Sequence, residues 1–280
     1  MSIHVGRVAP WDAIQFMRAL RHRAQSVRRV SGLRSKTVMS AMVATEVLLG
    51  ERNQPTADSI VPVRVTGMGG RLVWLRPRSF DRAAFEFLYH RHHLPPAELT
   101  SPIERIAVFG ANIGLLAADL ADRYPAARVL AVEPDHDNAI IARHNLARLG
   151  ERCALREVAV WYRDETLAVR WEPDAWGQIV TGLAASQGTA AAGEQIEAVD
   201  AGRVLSDFAG EAPIDYLLVN IETAWYEMLR HGDWAKSVRC LKIEIQDHYD
   251  EAVPLLEALG YRAWLERQHW GAFATGIRTG

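Results

Sequence analysis

Ile103–Pro134, IERIAVFGANIGLLAADLADRYPAARVLAVEP, decides how the rest of the chain is read. A short apolar run, Ile106 to Phe109, breaks at Gly110-Ala111-Asn112-Ile113-Gly114, and a helical pattern follows. A second apolar run, Val129 to Val132, then ends in Glu133. Strand, glycine loop, helix, strand and acid in that order predict a nucleotide-binding βαβ unit. Gly110 can take the positive φ of a tight turn, and Gly114 removes a Cβ where backbone is expected to approach a ligand. Glu133, at the tip of the second strand, is placed to accept hydrogen bonds from two ribose hydroxyls. Its distance from Gly110 is close to the roughly 20 residues that such units use.

Outward from this unit the chain divides by charge. Its 280 residues carry a net charge of −2. Residues 1–36 hold eight Lys/Arg against Asp12 alone, a balance of +7, which leaves −9 on the remainder. Trp11 to Val30 reads as an amphipathic helix and Lys36 to Leu49 as a second, so residues 1–50 are expected to form a basic helical hairpin. Such a face suits an acidic partner, a membrane surface or a nucleic acid. No aromatic interleaving or nucleic-acid motif accompanies it, so a solvated face packed on the body or on a second subunit is the favoured reading. Gly50 to Ser59 is a polar linker. Val61–Thr66 and Arg71–Leu75 flank Gly67-Met68-Gly69-Gly70 as a β-hairpin, and a helix then runs to Tyr89-His90-Arg91-His92-His93. That histidine group lacks the neighbouring carboxylate or cysteine of a metal site. Residues 51–100 thus form a preamble, and residues 101–280 the ligand-binding domain.

Beyond the unit, Asp135–Leu149 reads as a helix stopped by Gly150. Cys153–Val160 is a third core strand and Glu165–Trp171 an outlying one. Glu172–Gly193 is a Gly-, Ala-, Ser- and Thr-rich loop. Ile214–Ile221 is almost continuously apolar, as a strand buried on both faces requires. Arg239–Gln246 is a fifth core strand; a helix over Glu251–Leu259 and strands over Tyr261–Glu266 and Ala272–Arg278 complete an open, mainly parallel α/β sheet. Ligands in such sheets sit at the carboxyl ends of the strands. Those ends nominate the Gly110 loop, Glu133, Asn220–Glu222 and Gln246–His248. Lys242, Glu244 and Gln246 add a polar row inside a strand, where burial is costly without partners. Two cysteines, Cys153 and Cys240, suggest a reducing, cytoplasmic setting. No apolar run approaches a membrane span, and no secretory signal is visible.

Five segments carry a resemblance: GANIG at 110–114, AVEP at 131–134, REVAV at 156–160, IDYLLVNIE at 214–222 and LKIEI at 241–245. In this order, and with LRPRSFDRAAFEFLY at 75–89 before them, the chain resembles the FkbM-type family of S-adenosylmethionine-dependent methyltransferases. The likeness covers roughly Val61 to Leu265. It implies a seven-stranded, Rossmann-like class I methyltransferase fold with an N-terminal helical and hairpin extension. It also implies S-adenosylmethionine held by Gly110, Ala111, Asn112, Gly114, Glu133, Pro134, Ala159 and Asn220. The reaction implied is methylation of a hydroxyl on a small molecule or glycan, commonly a sugar or secondary metabolite in biosynthesis. The chain departs from the family pattern at Val108, where an acid is usual, and at Leu218, Asn220 and Thr223, which replace the lysine, the aspartate and the glycine of the fourth-strand motif.

For the chemistry, an alcohol needs a base beside it. His248 is the first candidate, because imidazole titrates near neutrality; Glu222 is the second, as base or orienter. No paired-carboxylate and asparagine group marks a catalytic metal, so none is expected. Two other readings stand beside this one. An NAD-type oxidoreductase uses the same βαβ logic, though GANIG lacks a third glycine. A scaffold that binds S-adenosylmethionine without methylating would account for Val108 and Asn220. Residues 1–50 are expected to mediate a homodimer or to close over the substrate.

Overall fold

A computed structural model describes residues 23–49, 59–169, 194–268 and 271–278. Most of the expected first helix, the linker and the 172–193 loop lie outside these residues. The chain divides into two compact units, 1–86 and 87–280.

In the first unit, residues 23–28 are helical and α1 spans Leu33–Leu49. Strands β1 (Val61–Arg64) and β2 (Leu72–Leu75) form the expected hairpin, with Val61 opposite Leu75. Gly69 and Gly70, at φ 60° and 76°, make its turn. Apolar Met39, Met42, Val63, Val73, Leu75 and Phe85 are buried. The unit also buries charge. Glu46 takes Arg82 and, at 3.8 Å, Arg23; Glu86 takes Arg29 at 2.5 Å; Asp81 takes Arg76 at 2.6 Å. Arg23 and Arg29 from the basic stretch are therefore spent inside the unit, since a buried carboxylate stays charged only with such a partner. Helix α2 (Asp81–His90) contains the boundary between the units.

The second unit is built on a seven-stranded sheet. Its strands are β3 (Arg105–Phe109), β4 (Arg128–Val132), β5 (Cys153–Arg156), β9 (Ile214–Val219), β10 (Val238–Ile245), β11 (Tyr261–Arg267) and β12 (Ala272–Arg278). Their spatial order is β11-β12-β10-β9-β3-β4-β5. Only β12 runs against the others, through antiparallel pairs with β10 and β11. The helices are α3 (Leu115–Arg123), α4 (His136–Leu146), α5 (Ala201–Ala209), α6 (Ala224–Arg230) and α7 (Ala252–Ala258). Every residue of β9 is buried, which explains its largely apolar sequence; its one charged residue, Asp215, accepts the Glu104 and Arg105 amides and pairs with Arg239.

Three local expectations change. Cys153–Val160 is not one strand: β5 ends at Arg156, and β6 (Ala159–Trp161) joins a separate sheet with β7 (Glu165–Val169) and β8 (Glu194–Asp200). The break falls at Glu157, whose carboxylate turns to His136, 2.6 Å away, and to Arg143 on α4. The helix expected to reach Leu149 stops at Leu146 and tightens into a 3₁₀ turn that Gly150 ends at φ 54°. Strand β8 and helix α5 had no counterpart in the sequence reading; Asp200 caps α5 by accepting from the Arg203 amide at 2.8 Å.

Strand and helix meet at the glycine loop, and there the two glycines answer to the fold. A Cβ on Gly110 would sit 1.7 Å from the Asn220 carbonyl oxygen, because the end of β9 presses against the loop. A Cβ on Gly114 would lie 3.1 Å from Ala142 of α4. The close approach that Gly114 permits is that of a helix. Both also hold positive φ, 75° and 79°. Gly110→Ala should therefore cost at least 3 kcal/mol or so, as forced strain adds to a backbone clash, and Gly114→Ala about 1–3 kcal/mol. Urea denaturation of the two variants checks the order; equal, small losses would refute it.

Candidate functional site

The loop from Gly110 to Gly114 follows β3 without a break. Gly110 and Ala111 both donate their amides to Val132 O, at 3.0 and 2.9 Å. The Asn112 amide donates to Glu133 Oε2 at 2.7 Å, Ile113 to Asn112 Oδ1 at 2.7 Å, and Gly114 to Ala111 O at 2.8 Å. All five amides of the loop are thus consumed internally. A loop that cradles phosphates does the opposite and aims its amides outward. This one can pass beside a nucleoside but has no spare amide for a pyrophosphate.

Glu133 closes the loop from the tip of β4. Its carboxylate is 6% exposed and also accepts from the Asp135 amide at 3.1 Å and from Asn138 Nδ2 at 3.4 Å. A carboxylate offers about four acceptor positions, so one remains for a ribose hydroxyl; the long Asn138 contact is the easiest to exchange for a second. Burial pushes this carboxyl up to about 7 against the loop amide, which pulls it down. Of the other expected contacts, Ala111 is buried, Pro134 half-buried, and Ala159 buried in β6.

Across the sheet, the Asn220 amide donates to Phe109 O at 2.8 Å, tying the end of β9 to β3. Strand β9 stops at Val219, so Asn220 and Glu222 lie on the turn after it, not on the strand face expected for them. Glu222 and His248 both hold left-handed backbone, φ 51° and 47°. Gln246 likewise lies past the end of β10, whereas Lys242 and Glu244 are buried within it. Lys242 Nζ reaches Leu94 O at 3.4 Å and Glu266 at 3.5 Å. Glu244 has the Gln246 amide and the like charge of Glu222 as neighbours, and burial pushes its carboxyl up to about 8. Glu222 is pushed up as well, by burial and then by Asp247. The His248 ring stacks on Tyr226 at 4.0 Å and 9°, with Trp225 edge-on at 6.5 Å; its Nε2 lies 3.8 Å from Asp247 and its Nδ1 3.6 Å from Glu251.

The structure therefore gathers two groups of candidates: Gly110–Gly114, Glu133 and Asn220 around the loop, and Glu222, Asp247 and His248 beyond the β9 and β10 tips, with Glu244 near the end of β10 before them. Trp225, Tyr226 and Asp247 belong with the second group. Asp247 falls inside the nominated Gln246–His248 stretch, whereas no signal in the sequence marks Trp225 and Tyr226. The histidine run separates. Helix α2 ends at His90, Arg91 turns at φ 59°, and His90 stacks on His92 at 5.9 Å. His93 does have a carboxylate neighbour: Asp119 of α3, 2.8 Å away and also held by Arg123 at 2.6 Å. Among the described residues, no three His, Cys, Asp or Glu side chains are grouped to hold a metal ion, and no helix is long and apolar enough to cross a membrane.

This strand order, with one antiparallel strand inserted next to the edge, is the class I methyltransferase fold. No protein-family profile matches the sequence, and no curated protein matches it. Solved structures of SAM-dependent methyltransferases do match. The FkbM methyltransferase of Methylobacillus flagellatus is 16% identical over 95% of this chain and 60% of its own, at a TM-score of 0.44. Precorrin-6y C5,15-methyltransferase of Geobacter metallireducens is 12% identical over 69% of this chain and 88% of its own, at 0.42. Magnesium protoporphyrin IX methyltransferase of Synechocystis, solved with bound SAM, is 10% identical over 71% and 81%, at 0.41. The strand order, not these distant likenesses, defines the class.

The buried acids give a pH prediction. A carboxyl raised on folding stabilises the fold only while protonated. For Glu244 that contribution is complete below the unfolded value of 4.5 and is lost as pH rises to about 8. Glu244→Gln keeps the shape without the titration. Its stability relative to the parent should climb between mildly acidic and mildly alkaline pH, by roughly a few kcal/mol at most. A difference in melting free energy that stays flat across this range would refute the assignment.

Proposed function

We propose that this chain is an S-adenosylmethionine-dependent methyltransferase acting on a hydroxyl of a small-molecule or glycan acceptor, such as a sugar or secondary metabolite. The observation that carries the reading is the saturated glycine loop beside a buried acid. A nucleoside ligand without phosphates suits a loop whose amides are already spent, with Glu133 accepting from its ribose. The same feature counts against the dinucleotide reading. S-adenosylmethionine, when bound, would supply an electrophilic methyl group on a positively charged sulfur.

The chain's own residues then have three tasks. Gly110–Gly114, Pro134 and Ala159 would shape the seat of the nucleoside, and Asn220, whose backbone amide is spent on Phe109, would offer its side-chain amide beyond β9. Holding two reactants in line can supply roughly 7–11 kcal/mol. His248, held by its stack on Tyr226, would take the acceptor's hydroxyl proton on a ring nitrogen. Glu222 would orient that hydroxyl. His248→Ala should lower kcat about 10²–10⁴-fold with little change in cofactor affinity; an unchanged kcat would remove His248 from the mechanism.

The non-catalytic reading draws on Val108, which is 0% exposed between Ala131 and Leu218. An acid there would be a buried, unpaired charge in this packing, so Val108→Asp should destabilise the fold rather than restore a lost contact. Calorimetric titration with S-adenosylmethionine, S-adenosylhomocysteine and NAD tests the cofactor directly. Binding of the first two at micromolar order, weakened at least about tenfold by Glu133→Ala, is expected. Failure of both to bind would overturn the reading. The homodimer through residues 1–50 is also part of the proposal. Because Arg23, Arg29 and Glu46 hold buried partners, the informative deletion is residues 1–22, with sedimentation mass as its readout.

A further inference from the structure

The outer face of α1 is unlike that of a solvated helix. Met39, Met42 and Glu46 are buried on its inner side, where Glu46 is taken by Arg82 and Arg23. At 3.6 residues per turn, the opposite side presents Leu33, Thr37, Ser40, Ala41, Ala44 and Leu48, all exposed. Leu33 is 84% and Leu48 77% exposed, more than any other large apolar side chain among the described residues. A helix face turned to water ordinarily carries charge, and 24% of this chain is charged. This ridge carries none. Its threonine is turned inward as well, because Thr37 Oγ1 donates back to Leu33 O at 3.0 Å.

The spacing selects the occupant. Leu33 and Leu48 stand about 22 Å apart along the axis, at 1.5 Å per residue, with small side chains between them. Turned end for end, the ridge matches itself: Leu33 falls opposite Leu48, Thr37 opposite Ala44, and Ser40 opposite Ala41. A twofold contact between identical surfaces requires that kind of match. The small middle lets the two axes approach to the near end of the usual range of about 8–10 Å. Charge agrees with the same orientation. Arg34 and Lys36, both exposed, stand at the start of α1, and its last turn has no basic residue. End for end, each basic pair meets the negative end of the other helix's dipole. In the parallel order the two basic pairs would meet each other.

We propose that the Leu33–Leu48 ridge of α1 seats a second copy of this chain, α1 against α1 in antiparallel order. This rests on the homodimer reading given above and narrows it from residues 1–50 to one face of one helix. A single helix pair is at the small end of stable interfaces, so the dimer dissociates in roughly the micromolar range.

Sedimentation equilibrium of the full chain over a micromolar series tests this. The parent should dimerise. Leu48→Lys, at an exposed position that leaves the fold alone, should weaken the dimer at least about tenfold, because it sets a cation against Arg34 and Lys36 of the other copy. Leu48→Glu faces the same cations and should weaken it several-fold less; equal effects overturn the antiparallel order. A short bismaleimide should join Leu33→Cys to Leu48→Cys in a mixture and join neither variant to itself. Both carry Cys153→Ser, since Cys240 is buried. Self-joining overturns the proposal, as does a parent that stays monomeric at every concentration. Deleting residues 1–22 separates this proposal from the broader homodimer reading, since the dimer should persist. A dimer lost in the deletion and untouched by Leu48→Lys keeps the homodimer and removes α1 from it. A monomer that dimerises only once residues 1–22 are gone makes them the occupant of the ridge, and the proposal fails.

Discussion

The end of β9 lies so close to the loop after β3 that no side-chain atom fits between them. A Cβ on Gly110 would fall 1.7 Å from the Asn220 carbonyl oxygen. That contact brings the two halves of the parallel sheet together at their carboxyl ends. The Phe109 carbonyl takes the Asn220 amide there, Val132 takes two loop amides, and Glu133 takes a third. Loop, acid and strand tips thus hold one another in place before any ligand arrives. A candidate site held this way would lose little order on binding, because its backbone is already fixed by its own hydrogen bonds.

The order of the chain was legible because burial on both faces writes itself as continuous apolar runs. Ile106–Phe109, Val129–Val132 and, broken only by Asp215, Ile214–Val219 all became strands. Their alternation with helices predicts an open, mainly parallel sheet, and its seven strands are what the family resemblance implies. What the sequence hid was hidden for physical reasons. Residues 153–160 read as one strand because each half is extended; the short bend at Glu157-Val158 that divides them between two sheets has no signal in the sequence. Strand β8 went unseen because Glu194–Asp200 belongs to a small, half-exposed sheet and lacks a strong apolar run.

The site was half legible. Local motifs exposed the glycine loop and Glu133, since a tight turn and a strand-tip acid are properties of adjacent residues. The role of Gly114 was not local: the group it makes room for, Ala142, is far along the chain. Nor was the pairing of His93 with Asp119, a carboxylate set among the alanines and leucines of α3 and distant in sequence. The polar row Lys242, Glu244 and Gln246 was visible as a cost. Which members were compensated depended on Glu266 and Leu94, whose positions only the fold supplies.

The placement of β12 bears on how the molecule comes into being. It is the last strand in chain order, yet it lies between β10 and β11 rather than at the rim. As the polypeptide leaves the ribosome, β10 and β11 must wait with their facing edges unsatisfied, since nothing earlier in the sequence can fill the gap. Until β12 is made, the nascent domain therefore carries two adhesive edges, and pairing with a neighbouring chain competes with folding. Closure of the sheet on this side therefore follows, and cannot accompany, the making of β11.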